Sequence, residues 1–227
     1  MSTRPTGRPT GRLTGTPRRT GGLQRAAPNA GRVIAGSARG IHLDAAGPGT
    51  RPLGDRLKQA LFAILEDELR DRRVLDLFAG TGAGGIEALS RGAPGAVFVE
   101  ADDRAARTIR ANLARCHLDG PSATVEASDV GSWLDRDAIR SAADEAFGLV
   151  LVDPPYERSD LLLASLERLG ATAAARFLDP DAIVVAKSFW RDAPPATCGL
   201  LASERTRRFG ETVLTIYRRM PRPATEA

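Results

Sequence analysis

The stretch that determines the fold class covers residues 74–85 and reads VLDLFAGTGAGG. Val74–Phe78 is an apolar run of strand length, and a helical pattern over Gly84–Arg91 follows it. Glycines between a strand and a helix let the backbone come close to a ligand and direct the helix N–H groups toward it. The stretch therefore predicts a βα unit with a ligand site at the carboxyl end of its strand.

Strands and helices continue to alternate downstream of this unit. The predicted strands are Ala96–Val99, Ala123–Ala127, Leu149–Val152 and Ile183–Ala186, and the predicted helices are Asp103–Cys116, a polar stretch at about 130–146, and Asp160–Leu169. Repeated βα units indicate an α/β fold with a doubly wound, mostly parallel sheet. Thr212–Tyr217 alternates like a strand, and residues 201–208 can pair with it, which predicts an antiparallel C-terminal edge.

The region before the first βα unit predicts a small hairpin and one helix. Arg32–Ala35 and Ile41–Leu43 flank the glycine-bearing turn Gly36–Gly40, as in a β-hairpin. Asp55 begins a helical pattern whose apolar face is predicted to contain Leu57, Ala60, Leu61, Ile64 and Leu65. We accordingly divide the chain into a tail (1–31), a hairpin extension (32–50), an α/β domain (51–220) and a flexible end (221–227).

The net positive charge of the chain is concentrated in the tail. The chain of 227 residues has a formal net charge of +4, but residues 1–31 contain six arginines and no acid, so the remainder sums to about −2. Rich in Gly, Pro and Thr, the tail cannot bury enough surface to fold, and we expect it to be disordered. The basic pI is therefore no argument that the folded body binds nucleic acid.

The remaining composition narrows the class of protein. No long apolar run and no apolar leader segment is present, so we expect a monomeric cytoplasmic protein without a membrane span. Cys116, Cys198, His42 and His117 stand apart from one another in the sequence, so neither a disulfide framework nor a metal site is expected.

The glycine loop leaves two kinds of cofactor open. Gly80, Gly82 and Gly85 fit G-x-G-x-x-G, and Glu100 follows at a suitable distance, as in NAD-binding proteins. Asp76, however, lies just upstream and would repel a pyrophosphate. S-adenosylmethionine (AdoMet) carries an ammonium and a sulfonium instead, and a carboxylate suits the ammonium. The pattern favours AdoMet over a dinucleotide.

Two further acids follow the next two strands. Glu100 ends the second strand and can accept bonds from both ribose hydroxyls, and Asp129 follows the third strand and can accept one from the adenine amino group. Since the carboxyl ends of parallel strands meet at one edge of a sheet, we expect both acids to lie near the glycine loop.

The fourth strand delivers Asp153-Pro154-Pro155-Tyr156 to the same edge. An amino group on a nucleic-acid base is a poor nucleophile, because its lone pair is delocalised into the ring. Asp153 and the Pro154 carbonyl can accept hydrogen bonds from its two N–H groups on a frame stiffened by prolines, and Tyr156 can stack on the base. The motif predicts methyl transfer to an exocyclic amine of an unstacked base.

Together these motifs resemble a known family. Asp76–Gly82 with Asp153–Tyr156 resembles the Rossmann-like class I methyltransferases that act on exocyclic amines. Further segments resemble the RsmD family of bacterial 16S rRNA guanine-N2 methyltransferases over about residues 32–218: Arg32–Gly36 with Arg39-Gly40, Arg51-Pro52, Asp55-Arg56, Leu61-Phe62, Glu87–Ala93 and Arg208–Thr212. Leu53 and Gln59 depart from that family, which usually has Thr at the first position and often Glu at the second.

The resemblance implies a role for each matching residue. The implied AdoMet-binding residues are Asp76, Phe78, Gly80, Thr81, Gly82, Glu100, Asp129 and Val130; the implied catalytic residues are Asp153, Pro154, Pro155 and Tyr156; and the implied RNA contacts are Arg39 and Arg51. The implied substrate is the N2 amine of a guanine, guanine 966, in the 16S rRNA of an assembling 30S particle. The alternatives are a DNA adenine-N6 or other rRNA methyltransferase, and a non-catalytic RNA-binding assembly factor.

Overall fold

The computed structural model describes residues 29–47, 53–136 and 146–221. Its strands are β1 (Asn29–Arg32), β2 (His42–Asp44), β3 (Arg73–Leu77), β4 (Ala96–Glu100), β5 (Ala123–Ala127), β6 (Phe147–Val152), β7 (Leu178–Phe189), β8 (Thr197–Cys198), β9 (Leu201–Phe209) and β10 (Thr212–Arg219). Its α-helices are α1 (Asp55–Ile64), α2 (Ala83–Ser90), α3 (Asp103–Arg115), α4 (Val130–Leu134) and α5 (Ser159–Gly170). Most of the predicted tail, Arg51, the second half of the polar stretch near 130–146, and residues 222–227 lie outside the described residues.

Eight strands form one sheet in the order β5-β4-β3-β6-β7-β10-β9-β8. The first five are parallel, and β10 runs antiparallel between β7 and β9. The predicted doubly wound, mostly parallel sheet with an antiparallel C-terminal edge is confirmed. The strand order reverses at β3, and ligands of such sheets bind beyond the carboxyl ends of the strands at this point. Within the described ranges, no helix has the length and apolar character needed to cross a membrane.

Helix α2 packs against the sheet without intervening side chains at its start. All of its residues are buried. A Cβ on Gly85 would lie 2.3 Å from the ring of Phe98 on β4, and a Cβ on Gly84 would lie 2.7 Å from Leu151 on β6. Both distances are too short for a side chain, so glycine at these positions lets the helix start directly above the strand ends.

The N-terminal hairpin is confirmed, but its first strand lies earlier than predicted. Strands β1 and β2 pair between Asn29 and Asp44, and β1 thus begins inside the segment 1–31. The prediction of a strand over Arg32–Ala35 is wrong beyond Arg32. The backbone N–H groups of Ile34 and Ala35 instead donate to the buried carboxylate of Glu87 on α2, at 2.8 and 3.1 Å.

Helix α1 packs the predicted apolar face against the core, and it also buries a lysine that the apolar pattern did not include. Leu61 and Leu65 are buried as expected, and Leu57 is half-buried against the core. Lys58 is fully buried. The Lys58 ammonium donates to the Arg32 carbonyl at 2.5 Å and lies near Asp55. These partners compensate the burial of the charge, so a lysine is tolerated next to the apolar face of the helix.

Candidate active site

A cavity of about 540 Å³ opens at the carboxyl edge of the parallel strands. Its wall includes every residue predicted to bind AdoMet except Gly82, and all four predicted catalytic residues. The sheet thus brings the ends of β3, β4 and β6 and the start of α4 into one pocket. Its size is within the usual range for small-molecule sites, roughly 300–1,000 Å³.

The loop between β3 and α2 is tightly wound. Phe78, Gly80 and Gly82 have φ angles of 58°, 56° and 77°. The left-handed region is uncommon for a residue such as Phe78 and is found at functional sites. Gly82 does not line the cavity; it precedes α2, and a Cβ there would lie 3.1 Å from Ile109. Its contribution is therefore to the path of the loop.

Glu100 holds this loop in place. Its carboxylate accepts hydrogen bonds from the Gly80 N–H at 2.8 Å and the Asp102 N–H at 2.9 Å. Each carboxylate oxygen keeps a further lone pair, so the side chain can still accept from a ligand hydroxyl.

Asp76 is a buried carboxyl group at the base of the cavity. It is 4% exposed and accepts a hydrogen bond from the Gly85 N–H at 2.8 Å. Burial raises its pKa to about 8, against the effect of that hydrogen bond, and the negative charges of Asp153 and Glu100 raise it further. A cationic ligand would reverse this shift.

Thr81 supplies an unused polar group on the same wall. Its backbone carbonyl accepts from the Asn112 side chain at 3.0 Å, but its buried Oγ1 has no hydrogen-bond partner among the described residues. Since buried hydroxyls are nearly always bonded, this atom is suited to a polar ligand group in the adjoining cavity.

Asp129 and Val130 lie where α4 begins. The Asp129 side chain caps the helix by accepting from the Ser132 N–H at 2.9 Å through Oδ1, and Val130 is buried. The cap explains why an acid occurs here, and both residues still line the cavity.

A salt bridge that the sequence did not predict sets the geometry at the end of β6. Lys187 on β7 donates to Asp153 Oδ1 at 2.5 Å, and its ammonium lies 4.9 Å from the centre of the Tyr156 ring. Burial raises the pKa of Asp153, and the Lys187 charge and hydrogen bond oppose that rise. Only the Oδ1 atom is occupied by Lys187.

One feature of the sequence could have pointed to Lys187. The chain contains only two lysines, Lys58 and Lys187, among 32 basic residues. Both are buried against carboxylates, whereas exposed basic positions hold arginine. A compact ammonium fits a confined site where the planar guanidinium does not. A lysine directly after an apolar strand in an arginine-rich chain therefore indicates a confined site of this kind.

Tyr156 is fixed at both ends. Its hydroxyl is hydrogen-bonded to the Thr212 hydroxyl at 2.6 Å, and its ring packs against Phe189 at a centroid distance of 6.2 Å. The ring is half-buried and lines the cavity.

Other predicted positions lie elsewhere. Arg39 is exposed in the hairpin turn, whose Ser37 N–H donates to the Ser90 carbonyl at the end of α2 opposite the glycine loop. Leu53 lines the cavity, whereas Gln59 is exposed. Among residues 29–47, 53–136 and 146–221, no group of three or more His, Cys, Asp or Glu residues could hold a metal ion.

Comparisons with known proteins agree on the family. The family described as conserved hypothetical protein 95 matches residues 31–218. YlbH of Bacillus subtilis (strain 168) is 35% identical and covers 83% of this chain and 98% of its own. Ribosomal RNA small subunit methyltransferase D of Escherichia coli (strain K12) is 31% identical and covers 86% and 93%. The solved structure of yhhF from Escherichia coli gives a TM-score of 0.71 at 31% identity, covering 84% and 98%.

Proposed function

Because this chain belongs to the conserved hypothetical protein 95 family, the family of the ribosomal RNA small subunit methyltransferase D proteins, we propose that it transfers a methyl group from AdoMet to small-subunit rRNA. We further propose that the acceptor is the exocyclic N2 of a guanine, by resemblance guanine 966. The observation that carries the proposal is the single cavity joining buried Asp76 to the Asp153–Lys187 pair.

The cavity residues fit AdoMet. Asp76 accepts from Gly85 through Oδ2, which leaves Oδ1 to accept from the ammonium. Thr81 Oγ1 has no partner in the described protein, and Glu100 and Asp129 line the wall where hydroxyl and amino groups can be bound. Once bound, AdoMet supplies an electrophilic methyl group on a sulfonium.

A dinucleotide fits the same loop poorly. The N–H groups of Gly80 and Gly85, which a pyrophosphate would require, already donate to the carboxylates of Glu100 and Asp76. The Glu100 carboxylate would repel a phosphate, and Asp76 would have to stay protonated beside one. The glycine spacing alone left NAD open, and these two bonds argue against it.

Asp153 and Tyr156 orient the acceptor amine in this proposal. Lys187 holds Asp153 Oδ1, so Oδ2 and the Pro154 carbonyl accept from the two N–H groups of the amine. The lone pair of the amine nitrogen is then no longer delocalised into the base ring and is directed at the methyl group. Tyr156 stacks on the base with the face opposite Lys187, and its bond to Thr212 fixes the ring plane. Positioning of this kind supplies much of the rate.

Lys187 favours the ionised form of Asp153. Burial raises the pKa of this carboxyl group, and the protonated form would accept fewer hydrogen bonds. The ammonium at 2.5 Å lowers that pKa and fixes the side-chain rotamer. Lys187 is thus proposed as a positioning residue, because it acts on the amine only through Asp153.

RNA contacts away from the cavity complete the proposal. Arg39 is exposed and available to a phosphate, and Arg51 is proposed for the same role by resemblance. We propose that the protein acts as a monomer in the cytoplasm, on RNA within an assembling 30S particle.

The test is a map of modified nucleotides in small-subunit rRNA made with and without the protein. We expect one N2-methylguanine to depend on it. N6-methyladenine would assign the protein to another branch, and no methylation of RNA in any assembly state would favour a non-catalytic assembly factor. Asp153→Asn serves as the inactive control.

Binding of AdoMet should release a proton. At pH 6.5 the pKa of about 8 leaves most Asp76 protonated, whereas the ammonium of AdoMet requires the carboxylate. Calorimetry in two buffers of different ionisation enthalpy should show close to one proton released per AdoMet. The affinity should rise with pH between about 6 and 7.5, because ionisation of Asp76 is then less unfavourable.

Asp76→Asn is the matched control for this measurement. It keeps the size of the side chain but should release no proton, and it should bind AdoMet about ten- to a hundredfold more weakly. Proton release that is equal in both proteins would show that Asp76 does not bind the ammonium.

A further inference from the structure

Strand β9 carries arginines that lie in register with the active-site lysine on β7. Lys187 on β7 pairs with Leu214 on β10, and Leu214 pairs with Arg207 on β9. Lys187 and Leu214 both line the cavity. Adjacent strands lie about 4.8 Å apart, so Arg207 follows roughly 10 Å from Lys187 along the same row.

Neighbouring rows place two more residues on this face. Arg205 pairs with Ile216, and Phe209 pairs with Thr212. The Thr212 hydroxyl is in turn hydrogen-bonded to the Tyr156 hydroxyl. Because side chains alternate along a strand, Arg205, Arg207 and Phe209 all point to the side of the sheet that holds Lys187. We call these three residues the β9 face.

The β9 face is exposed and positively charged. Arg205 and Arg207 are exposed and, within the described chain, neither forms a salt bridge with a carboxylate. Nearby Glu204 pairs instead with Arg218. Phe209 is 37% exposed and is one of three large apolar side chains that are exposed in the part of the chain that the structure describes.

We propose that the β9 face binds the RNA strand next to the target nucleotide, with Arg205 and Arg207 on phosphates and Phe209 stacked on an unpaired base. This inference rests on the proposed function, because a base that enters the cavity must bring its flanking phosphates to the cavity rim. Guanidinium groups bind phosphate well, and aromatic rings stack on splayed bases. The body outside residues 1–31 has a net charge of about −2, so an unpaired basic face beside the cavity is a specific feature.

The first test removes the charges. Arg205→Thr with Arg207→Thr keeps residues that suit a strand. Arg107→Ala with Arg110→Ala is the control pair, because it removes the same charge from exposed positions on α3, which packs against β5 at the opposite edge of the sheet from β9. Binding of protein-free small-subunit rRNA is measured over a salt series. The β9 variant should bind about three- to thirtyfold more weakly, and its log–log salt slope should fall by about 1.4. The control pair should change little.

The second test addresses stacking. Phe209→Ser should weaken RNA binding about tenfold without changing the salt slope, because no charge is lost, and Phe209→Tyr should retain the affinity. AdoMet affinity should be the same in every variant, which verifies folding.

Two results would overturn the inference. Equal losses of RNA affinity in the β9 pair and the control pair would mean that overall charge alone causes the effect. A loss seen only with assembled particles, and not with protein-free RNA, would mean that the face contacts a ribosomal protein. Methylation is assayed in parallel. The proposed function fails only if the wild-type protein methylates no RNA, so its failure can be distinguished from both of these results.

Discussion

Asp153→Asn is expected to lower the turnover of methyl transfer about a thousandfold. Asparagine has nearly the same shape, but it replaces one acceptor oxygen by an NH₂ group and carries no charge to bind Lys187. The amine would lose the acceptor that directs its lone pair, and oriented polar groups of this kind typically contribute 10²- to 10³-fold.

The measurement is single-turnover methylation with saturating RNA and AdoMet. AdoMet affinity should change less than about threefold, because Asp76 and not Asp153 is proposed to bind the ammonium. A variant that retains more than a tenth of the wild-type rate would refute the role of Asp153.

Lys187→Met tests the same site through its pH dependence. Without the ammonium, burial raises the pKa of Asp153 further. Activity is lost as pH falls through that pKa, so the acid limb of the turnover profile should move to higher pH. For each unit by which that pKa exceeds the pH of the assay, turnover should fall about tenfold, and it should recover as the pH is raised.

Asp153→Asn is the control for this profile, since it has no carboxyl group and should not recover with pH. Lys187→Arg should restore little of the wild-type turnover, because Lys187 is 8% exposed and the guanidinium is larger than the ammonium. An acid limb that stays at the wild-type pH in Lys187→Met would show that the lysine has only a packing role.

Glu87→Ala is expected to cost about 3–5 kcal/mol of unfolding free energy. The side chain is fully buried and accepts from the N–H groups of Ile34 and Ala35 and from Arg91 Nε at 2.8 Å. Its charge also opposes the lowering of the pKa of buried Lys58. Alanine would leave these donors without an acceptor and would leave Lys58 with Asp55 as its remaining nearby carboxylate, and breaking a buried pair is costly.

Denaturant unfolding of three variants tests this estimate. Glu87→Gln should lose less, about 1–2 kcal/mol, because the amide oxygen can still accept from the hairpin. Glu167→Ala, at an exposed position on α5, should lose under about 0.5 kcal/mol. Amide exchange at Val33 and Gly40 should accelerate in Glu87→Ala, since their bonds close the hairpin. Equal stability of the Glu87 and Glu167 variants would contradict the prediction.

The sequence by itself determined the sheet and the two motifs at the centre of the site. Asp76 and Gly80 are neighbours in the chain, as are Asp153 and Tyr156, so each half of the site is written in one local motif. A parallel sheet then brings the carboxyl ends of its strands to one edge, whatever the rest of the chain contains. Local chemistry and this one topological rule were sufficient to predict that both motifs line one pocket.

Tertiary structure alone decided the pairing of buried charges with groups far away in the chain. Lys187 lies 34 residues from Asp153, and Glu87 lies 53 residues from Ile34, so no local pattern connects them. Likewise, Arg207 comes into line with the cavity only because β10 inserts between β7 and β9. A buried charge is tolerated only beside its partner, and that partner is set by strand order and register. For this reason the apolar pattern did not predict the burial of Lys58 on α1 and gave no indication of the salt bridge at Asp153.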